Sequence, residues 1–322
     1  MDKYRVIKTA EKVGFPCPMT FAVDEEDQLD AVERRLEYPV VVKPRFSSGG
    51  GGFSLARNRG ELLERFRSVK KSHGSPLIQE YIPGSLVKRF ANVWIVLDQD
   101  YKVKAAALSR KIRTIFRDST SQGTAWESFE DDALIDRAAE LCRALRLNGF
   151  VNLQTKQDPR DGLHRLVEVN PRIGYCFWIP LAQGIDTPLL ALNVAIGEEF
   201  GAIEPAKGRT VFIAPVQDTW ALVGYMVELF AAKVLGYHPI DAENSPPPLA
   251  EMLNSYRESY TAPRKVFDPY FSDFFRDPLV SLAWWIAFGV FNLQKKLPHI
   301  PFGLRHKHGQ EVPYESASHH HS

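Results

Sequence analysis

The chain has 322 residues, of which 44% are hydrophobic and 25% are charged, and this composition is typical of a globular protein with one large domain or two. Its 40 basic and 39 acidic residues are nearly balanced, which argues against a surface that binds nucleic acids. The three cysteines have no metal-ligand spacing and favour a reducing compartment, the cytoplasm, over a disulfide framework.

Hydrophobic periodicity predicts that helices and strands alternate along the first 200 residues. The first helix covers "KYRVIKTAEKVG" and ends at Gly14, because glycine commonly follows the last turn of a helix. A second helix covers "EEDQLDAVERRLE", and the apolar run "VVVK" is a predicted buried strand. A glycine-rich loop, a short strand and the helix "GELLERFRSVKKS" follow.

Beyond this helix, strands predominate in the prediction. The strand "PLIQEYI" is followed by two long strands and by a helix over "DDALIDRAAELCRALRL". The segments "FVNLQTKQ" and "LHRLVEVN" then form a hairpin, and a further helix begins near Thr187, a favourable first residue. Helices that separate hairpin strands in this way predict an α+β fold.

The segment "RLVEVNPRIG" carries the first candidate functional residues. Side chains alternate along a strand, so Glu168 and Asn170 share one face, whereas Val167 and Val169 share the other. A carboxylate and an amide oxygen are hard ligands that suit Mg²⁺ better than zinc. An edge strand with a polar outer face explains the same pattern, so both interpretations stay open.

The loop "KPRFSSGGGGF" is the second candidate feature. Its consecutive glycines expose backbone N–H groups and allow an anion to approach closely, as in loops that bind phosphates. Lys43 precedes the glycines at a strand end, so the loop is not a P-loop, in which a lysine follows them. A flexible linker is the alternative interpretation.

Together, these segments resemble the ATP-grasp superfamily over residues 1 to about 200. The matching motifs are, in chain order, "MDKYRVIKTAEKVGFPCPMTF", "YPVVVKPRFSSGGGGFSLA", "PLIQEYIPGS", "GFVNLQ", "VEVNPRIG" and "LAQGIDTPLLALNVAIGEEF". The resemblance implies an ATP-grasp fold, in which two α+β lobes grip the nucleotide. It places an N-terminal lobe with a glycine-rich flap at 1–74, a C-terminal lobe with the metal site at 75–200, and a mostly helical extension with a disordered tail at 201–322.

The same resemblance implies that ATP and Mg²⁺, or Mn²⁺, are the cofactors. The residues implied in phosphate binding are Lys3, Lys43, Ser48, Gly49, Gly50, Gly51 and Gly52. The residues whose backbone is implied to bind the adenine edge are Glu80, Tyr81 and Ile82.

The implied metal ligands are Gln154, Glu168 and Asn170. A glutamine at the first of these positions resembles the carbamoyl-phosphate synthetase branch, and it leaves one negative charge fewer to balance the metal. The implied catalytic residues are Lys43 and Arg172, which stabilise charge on the transferred phosphoryl group.

Three features leave questions open within this resemblance. The segment "GSLVKRF" has no acid after the predicted adenine-binding strand, where many relatives have a glutamate that binds ribose. Most relatives carry a separate domain before the Asp-Lys pair, at which this chain begins, so we expect that domain to be missing, split off or supplied by a partner. Arg110, Lys111 and Arg113 either face the site or form an outer strand face.

Residues 201–322 match the family less well. The segment "APVQDTWALVGYMVELFAAKVLGY" is helix-like, and residues 278–294 form a run of 17 residues without a charge, at the lower limit for a membrane span. A helix packed on the domain, a helix lying in a membrane surface and a helix that docks a partner are the three open interpretations. A similar extension occurs in predicted carboxylate–amine ligases of the superfamily.

The whole resemblance implies an ATP- and Mg²⁺-dependent carboxylate–amine ligase. Such an enzyme joins a small-molecule carboxylate and an amine through an acyl phosphate and releases ADP and phosphate. The alternative is a nucleotide-binding module that no longer ligates and docks a membrane or a partner through its C-terminal region. In either case we expect a cytoplasmic protein, with residues 278–294 as the segment for any peripheral contact with a membrane.

Overall fold

The computed structural model of the chain describes residues 1–47, 52–115, 123–174, 177–234, 236 and 246–268, and positions 278, 279, 282, 283, 285–287 and 290. These residues form two β-sheets, which lie one after the other along the chain, with helices packed against them.

The predicted first helix is confirmed as α1 (Lys3–Lys12). The Asp2 side chain accepts hydrogen bonds from the backbone N–H groups of Tyr4 and Arg5, which have no partner inside the helix. Gly14 follows the helix with a φ of +72°, a conformation that glycine adopts without strain. The apolar side of α1 therefore enters the core at a fixed position.

The first sheet has four antiparallel strands, β1 (Thr20–Ala22), β2 (Val40–Pro44), β3 (Ser54–Ala56) and β4 (Pro76–Glu80). Their order across the sheet is β1–β4–β2–β3. A short helix, α2 (Leu29–Glu33), and a longer one, α3 (Arg59–His73), bury Leu62 and Phe66 of α3 and Val42 of β2 in one core. Lys43 lies near the end of β2, where it is 8% exposed.

The second sheet contains the remaining strands of the described residues. They are β5 (Phe90–Leu97), β6 (Val103–Thr114), β7 (Gly123–Phe129), β8 (Gly149–Gln157), β9 (His164–Asn170), β10 (Thr210–Ile213) and β11 (Arg264–Phe267). Their order is β11–β10–β7–β6–β5–β8–β9, and all neighbours are antiparallel except β10 and β11. The predicted hairpin is thus confirmed as β8 and β9, at the edge of the sheet.

The two faces of this sheet have different surroundings. The first face, which we call the far face, carries Ile95 and Leu153 and packs against α1 and α4 (Asp132–Ala144). The second face, which we call the site face, carries Trp94 and Phe150 and packs against α5 (Trp178–Ala182) and α6 (Thr187–Ile196). Because side chains alternate along a strand, Asn92 and Gln154 also belong to the site face.

The chain after residue 200 adds strands as well as helices. β10 and β11 extend the second sheet, whereas α7 (Pro215–Val234) and α8 (Leu249–Tyr260) pack beside β6 and β7. An ion pair anchors both helices: the buried Arg113 guanidinium donates to the Asp218 carboxylate at 2.7 Å, and to the hydroxyls of Ser255 at 3.1 Å and Ser259 at 2.8 Å. The division at 74/75 and 200/201 stays a prediction.

The described positions between 278 and 290 are helical. Trp285 packs on Trp220 of α7 with 4.8 Å between ring centroids, and each indole nitrogen donates a hydrogen bond across the contact, to the carbonyl of Trp285 and to the hydroxyl of Thr219. Within the residues that the structure describes, no helix is long and apolar enough to cross a membrane.

We expect the anchor between α7 and β6 to be essential for stability. The substitution Asp218→Ala leaves the charge of Arg113 buried without an anionic partner, so the free energy of unfolding should fall by about 3–5 kcal/mol. The control is Asp100→Ala, which removes an exposed carboxylate 3.8 Å from the Lys102 ammonium and should cost less than about 1 kcal/mol. Urea denaturation measures both values, and equal losses would contradict the assignment.

Candidate functional site

The register of the β8–β9 hairpin brings the predicted metal ligands together. Gln154 lies directly opposite Glu168, and Asn152 lies opposite Asn170, so these side chains share the site face. The Asn170 side chain donates a hydrogen bond to the Glu168 carboxylate at 3.3 Å. The three predicted ligands thus occupy one oxygen-rich patch at the sheet edge, and their role as ligands stays a prediction.

A cavity of about 250 Å³ lies beside this patch, between β9 and the start of α1. Its lining includes Lys3, Ser47, Glu168, Asn170 and Arg172. The Lys3 ammonium lies 3.7 Å from the Glu168 carboxylate and donates to the carbonyl of Ser47 at 2.6 Å and to its hydroxyl at 3.0 Å. The structure therefore brings the first residue predicted for phosphate binding next to a predicted metal ligand.

Lys43 belongs to the same neighbourhood, although it comes from the other sheet. The pKa of its ammonium is lowered to about 8, and burial is the main cause. The Glu168 carboxylate raises this pKa, whereas the charge of Lys3 lowers it. Glu168 thus lies close enough to stabilise the protonated form of a lysine that burial disfavours. Two lysines share one carboxylate here, and this leaves a positive surplus that suits an anion.

Arg172 is exposed at the mouth of the cavity. Its guanidinium contacts the carbonyl of Ile173 at 3.5 Å and forms no ion pair with any described residue. An arginine held beside an oxygen-rich patch, with its charge free, can approach a bound anion. The geometry allows the predicted role without testing it.

The strand predicted to bind adenine ends in a hydrogen-bonded corner. The Glu80 carboxylate accepts from the backbone N–H of Met19 at 3.1 Å and from the Arg160 guanidinium at 2.5 Å. The buried Lys156 ammonium donates to the carbonyls of Ile82 at 2.7 Å and Gly84 at 2.6 Å. These bonds fix the path of residues 80–84 against β8, and the adenine contact itself stays a prediction.

Lys156 was missed by the sequence analysis. It follows Gln154 by two positions on β8, so its side chain points to the same face. The alternation that predicted the metal ligands could have found it. Its partners are backbone carbonyls far away in sequence, which no local pattern indicates.

Two further asparagines on the site face were also missed. Asn92 pairs with Gln154 across the sheet, and Asn152 pairs with Asn170. Both are at most 3% exposed, and neither side-chain oxygen accepts a hydrogen bond from the part of the chain that the structure describes. A buried amide oxygen without a donor is costly, so these atoms favour a polar ligand at the patch.

The structure separates the three basic residues whose orientation was open. Lys111 lies on the site face, where its ammonium is 4.2 Å from the centre of the Phe90 ring. Arg110 instead donates to Glu127 at 2.8 Å, and Arg113 is held by Asp218. Only Lys111 is therefore oriented towards the site.

The glycine-rich loop is described only at its end, because Ser48, Gly49, Gly50 and Gly51 lie outside the described residues. Gly52 has a φ of +77°, and a Cβ atom there would lie 2.5 Å from Cγ of Pro44. Only glycine fits this position, since any side chain would be strained and would collide with Pro44.

The donor set fits a hard divalent cation such as Mg²⁺. Gln154, Glu168 and Asn170 offer one carboxylate and two amide oxygens, and the two unpaired asparagine oxygens lie beside them. Within the described ranges, no three His, Cys, Asp or Glu side chains gather as a metal cluster. A cation at this patch would therefore have amide oxygens and one carboxylate as its ligands from these three residues.

Two family models match consecutive parts of the chain. The model described as "Carbamoyl-phosphate synthase L chain, ATP binding domain" matches residues 2–100, and the model "ATP-grasp in the biosynthetic pathway with Ter operon" matches residues 98–217. A curated relative, the carbamoyl phosphate synthase large chain of Methanothermobacter thermautotrophicus, is 27% identical over 205 residues, which are 60% of this chain and 19% of the relative.

Solved structures show the same fold. The biotin carboxylase domain of the Hydrogenobacter thermophilus 2-oxoglutarate carboxylase, in complex with MgADP, ADP and bicarbonate, superposes with a TM-score of 0.57 at 16% identity over 65% of this chain and 49% of that chain. The L-amino acid ligase from Bacillus licheniformis gives a TM-score of 0.50 at 18% identity, over 65% of this chain and 52% of that chain. The chain spans about a fifth of the curated relative and about half of these structures.

We expect the pKa of Lys43 to depend on Glu168. The carboxylate favours the protonated amine, so Glu168→Gln should lower the pKa of Lys43 further below 8. Titration of the lysine Cε signals by NMR measures this pKa in both proteins. The control is Glu64→Gln, which removes an exposed carboxylate paired with Arg65 on α3. A Lys43 pKa that does not change in Glu168→Gln would contradict the assigned geometry.

Proposed function

We infer that this chain, which belongs to the ATP-grasp superfamily, is an ATP- and Mg²⁺-dependent ligase that joins a carboxylate to an amine. The observation that carries this proposal is the junction of the two sheets. There the oxygen patch of Gln154, Glu168 and Asn170 meets the charges of Lys3 and Lys43. Metal ligands next to surplus lysines suit a metal–polyphosphate complex.

In this proposal, Gln154, Glu168 and Asn170 hold Mg²⁺, and Mn²⁺ fits the same oxygens. When bound, the cation would neutralise charge on the phosphate oxygens during transfer. The unpaired oxygens of Asn92 and Asn152 lie beside these ligands and accept hydrogen bonds from water bound in the patch.

The chain's own residues bind and orient the nucleotide. Lys3 and Lys43 contact the phosphates, and Ser48, Gly49, Gly50, Gly51 and Gly52 are further phosphate-binding residues in this proposal. The backbone of Glu80, Tyr81 and Ile82 binds the adenine edge, and Lys156 keeps this segment in place through the carbonyl of Ile82. In this proposal residues 1–74 and 75–200 are the two gripping lobes.

The reaction has two steps. A carboxylate oxygen of the substrate attacks the γ-phosphorus of ATP, the bond to the bridging oxygen breaks, and ADP leaves with its electron pair. An amine then attacks the acyl carbon of the acyl phosphate, loses a proton and displaces phosphate, which forms the amide. Arg172 and Lys43 stabilise the charge that develops on the transferred group.

No covalent intermediate with the protein is required. Burial raises the pKa of the Cys17 and Cys142 thiols to about 12, so neither thiol is a thiolate nucleophile near neutral pH. Positioning and charge neutralisation carry the catalysis instead. The substrates are small molecules, as the name of the Bacillus licheniformis ligase indicates for that protein.

This proposal predicts the products and the effect of one substitution. With ATP, Mg²⁺ and a panel of amino acids and small acids, the wild type should release ADP, and hydroxylamine should trap the acyl phosphate as a hydroxamate. Glu168→Gln should lower ADP release by about 100-fold or more, because it removes the carboxylate from the three proposed metal ligands.

The matched control for this experiment is Glu64→Gln, which changes an exposed carboxylate to an amide on α3 and should retain full ADP release. Unchanged circular dichroism of Glu168→Gln would show that its fold is intact. Release of AMP and pyrophosphate by the wild type, or normal turnover by folded Glu168→Gln, would contradict the proposal.

We further propose that the C-terminal helices contact an anionic membrane surface. On α7, Leu222, Met226, Phe230 and Val234 recur every four residues and lie exposed along one side of the helix, Phe230 to 53%. The exposed described positions between 278 and 290 are all apolar too, and Leu279 is 79% exposed. Exposed apolar side chains in such number favour a partner or a lipid surface over water.

Charge favours the lipid surface as the occupant. Residues 278–310 contain the basic residues Lys295, Lys296, Arg305 and Lys307 and no aspartate or glutamate. Apolar side chains followed by a basic run suit an interfacial helix on anionic headgroups. The Trp220–Trp285 pair holds the helical residues around position 285 against α7.

We therefore expect the full-length protein to pellet with phosphatidylserine-containing vesicles and not with pure phosphatidylcholine vesicles. The double substitution Met226→Gln and Phe230→Gln removes two exposed apolar groups and should abolish pelleting without changing the melting temperature. The control is Leu192→Gln, since Leu192 is 55% exposed on α6, outside this surface. Dimers in ultracentrifugation together with no vesicle binding would instead assign the surface to a second copy of the chain.

A further inference from the structure

A cavity of about 490 Å³ among the described residues is separate from the proposed catalytic site. It lies between β6, β7 and the helices α7 and α8. Arg110 lines the cavity. It pairs across the sheet with Ala91, and Ala91 pairs with Thr155, so these three side chains point to the same face of the sheet, the far face. Gln154, next to Thr155, points to the site face. The sheet therefore lies between this cavity and the metal ligands.

A buried carboxylate organises the sheet side of the cavity. Glu127, with a side chain that is 8% exposed, accepts a hydrogen bond from Nε of Arg110 at 2.8 Å and from Nε of Arg209 at 2.7 Å. One carboxylate thus holds two guanidinium groups. The terminal nitrogens of Arg110 have no acceptor among the described residues, and those of Arg209 have only the carbonyl of Glu258 at 3.5 Å. These groups can donate to a ligand.

Lys88 adds a second surplus charge to the same wall. Its side chain is exposed, lines the cavity and forms no ion pair with the residues that the structure describes. Its backbone has a φ of +64°, which is uncommon for lysine, and its N–H donates to the carbonyl of Lys111 at 2.6 Å. Together with Arg110 and Arg209 around Glu127, Lys88 leaves two uncompensated positive charges on this wall.

The helix side of the cavity has the opposite sign. Glu251 and Glu258 of α8 line it, and the Glu251 carboxylate forms no ion pair within the described part of the chain. Glu258 accepts a hydrogen bond from the side chain of Asn254 at 2.6 Å. Between the two walls lie the apolar side chains of Ile112 and Met252. A cavity with one cationic and one anionic wall selects a ligand that carries both charges.

We propose that this far-face cavity binds an amino acid with an acidic side chain. Its two carboxylates pair with Arg110, Arg209 and Lys88, where guanidinium groups form charge-assisted hydrogen bonds, and its ammonium faces Glu251 and Glu258. The volume lies in the range of small-molecule sites, about 300–1,000 Å³. The argument for this binding site does not rest on the proposed ligase reaction.

The cavity is also connected to the segment that follows β4. Lys88 comes four residues after Gly84, whose carbonyl is held by Lys156, and its N–H is bonded to Lys111, whose side chain lies on the site face. A ligand that fixes Lys88 therefore acts on residues at both faces of the sheet. This connection gives the far-face cavity a physical route to influence the catalytic site.

Calorimetry with L-glutamate as the probe tests the proposal on the full chain. We expect L-glutamate to bind more tightly than glutarate, which lacks the ammonium, and more tightly than L-glutamine, which lacks one negative charge. Lys88→Gln and Arg209→Gln should each weaken L-glutamate binding by about 10-fold or more. Glu251→Gln should weaken L-glutamate and leave glutarate unchanged.

Two controls separate this site from others. Arg57→Gln removes an exposed arginine near α3, outside the cavity, and should leave binding unchanged. Glu168→Gln should also bind L-glutamate like the wild type, and a loss there would place the ligand in the catalytic site instead. No binding at millimolar L-glutamate, equal affinity for glutarate, or insensitivity to Lys88→Gln and Arg209→Gln would overturn the proposal.

Discussion

The candidate site depends on the attraction between one carboxylate, Glu168, and two lysines, Lys3 and Lys43. Lys43 comes from the four-stranded sheet and Glu168 from the seven-stranded sheet, so their attraction acts where the sheets meet. Burial alone would favour the neutral amine of Lys43, and the single carboxylate compensates for this only in part, because Lys3 competes for it. The junction keeps a positive surplus, which an anionic ligand would balance.

The sequence could predict that the three candidate metal ligands share one face, because the pattern behind this prediction is local. Alternation along a strand puts Glu168 and Asn170 on one face, and a short hairpin brings Gln154 opposite. The same alternation applies to Lys156, Asn92 and Asn152. However, only the tertiary structure reveals that Lys156 binds a distant carbonyl and that the two asparagine oxygens have no donor among the described residues. A polar residue inside an apolar strand was the available signal, and it was not used.

The fold after residue 200 shows the limit of the same approach. The helix α7 was evident from its long apolar periodicity. β10 and β11 were not, because each has four residues and gains its stability from strands far away in sequence, β7 in the case of β10. Short strands of this kind have too few positions for a periodic pattern, so their pairing is determined by long-range packing.

A register shift in β6 changes the face of the sheet to which the side chains after Lys111 point. Lys111 pairs with Trp126 and points to the site face, whereas the register shifts before Arg113, which pairs with Ala125 and turns towards α7. Without the shift, strict alternation would place Lys111 and Arg113 on the same face. The bulge therefore frees Arg113 to anchor the C-terminal helices. These helices close the far-face cavity, while Lys111 remains on the face of the candidate site.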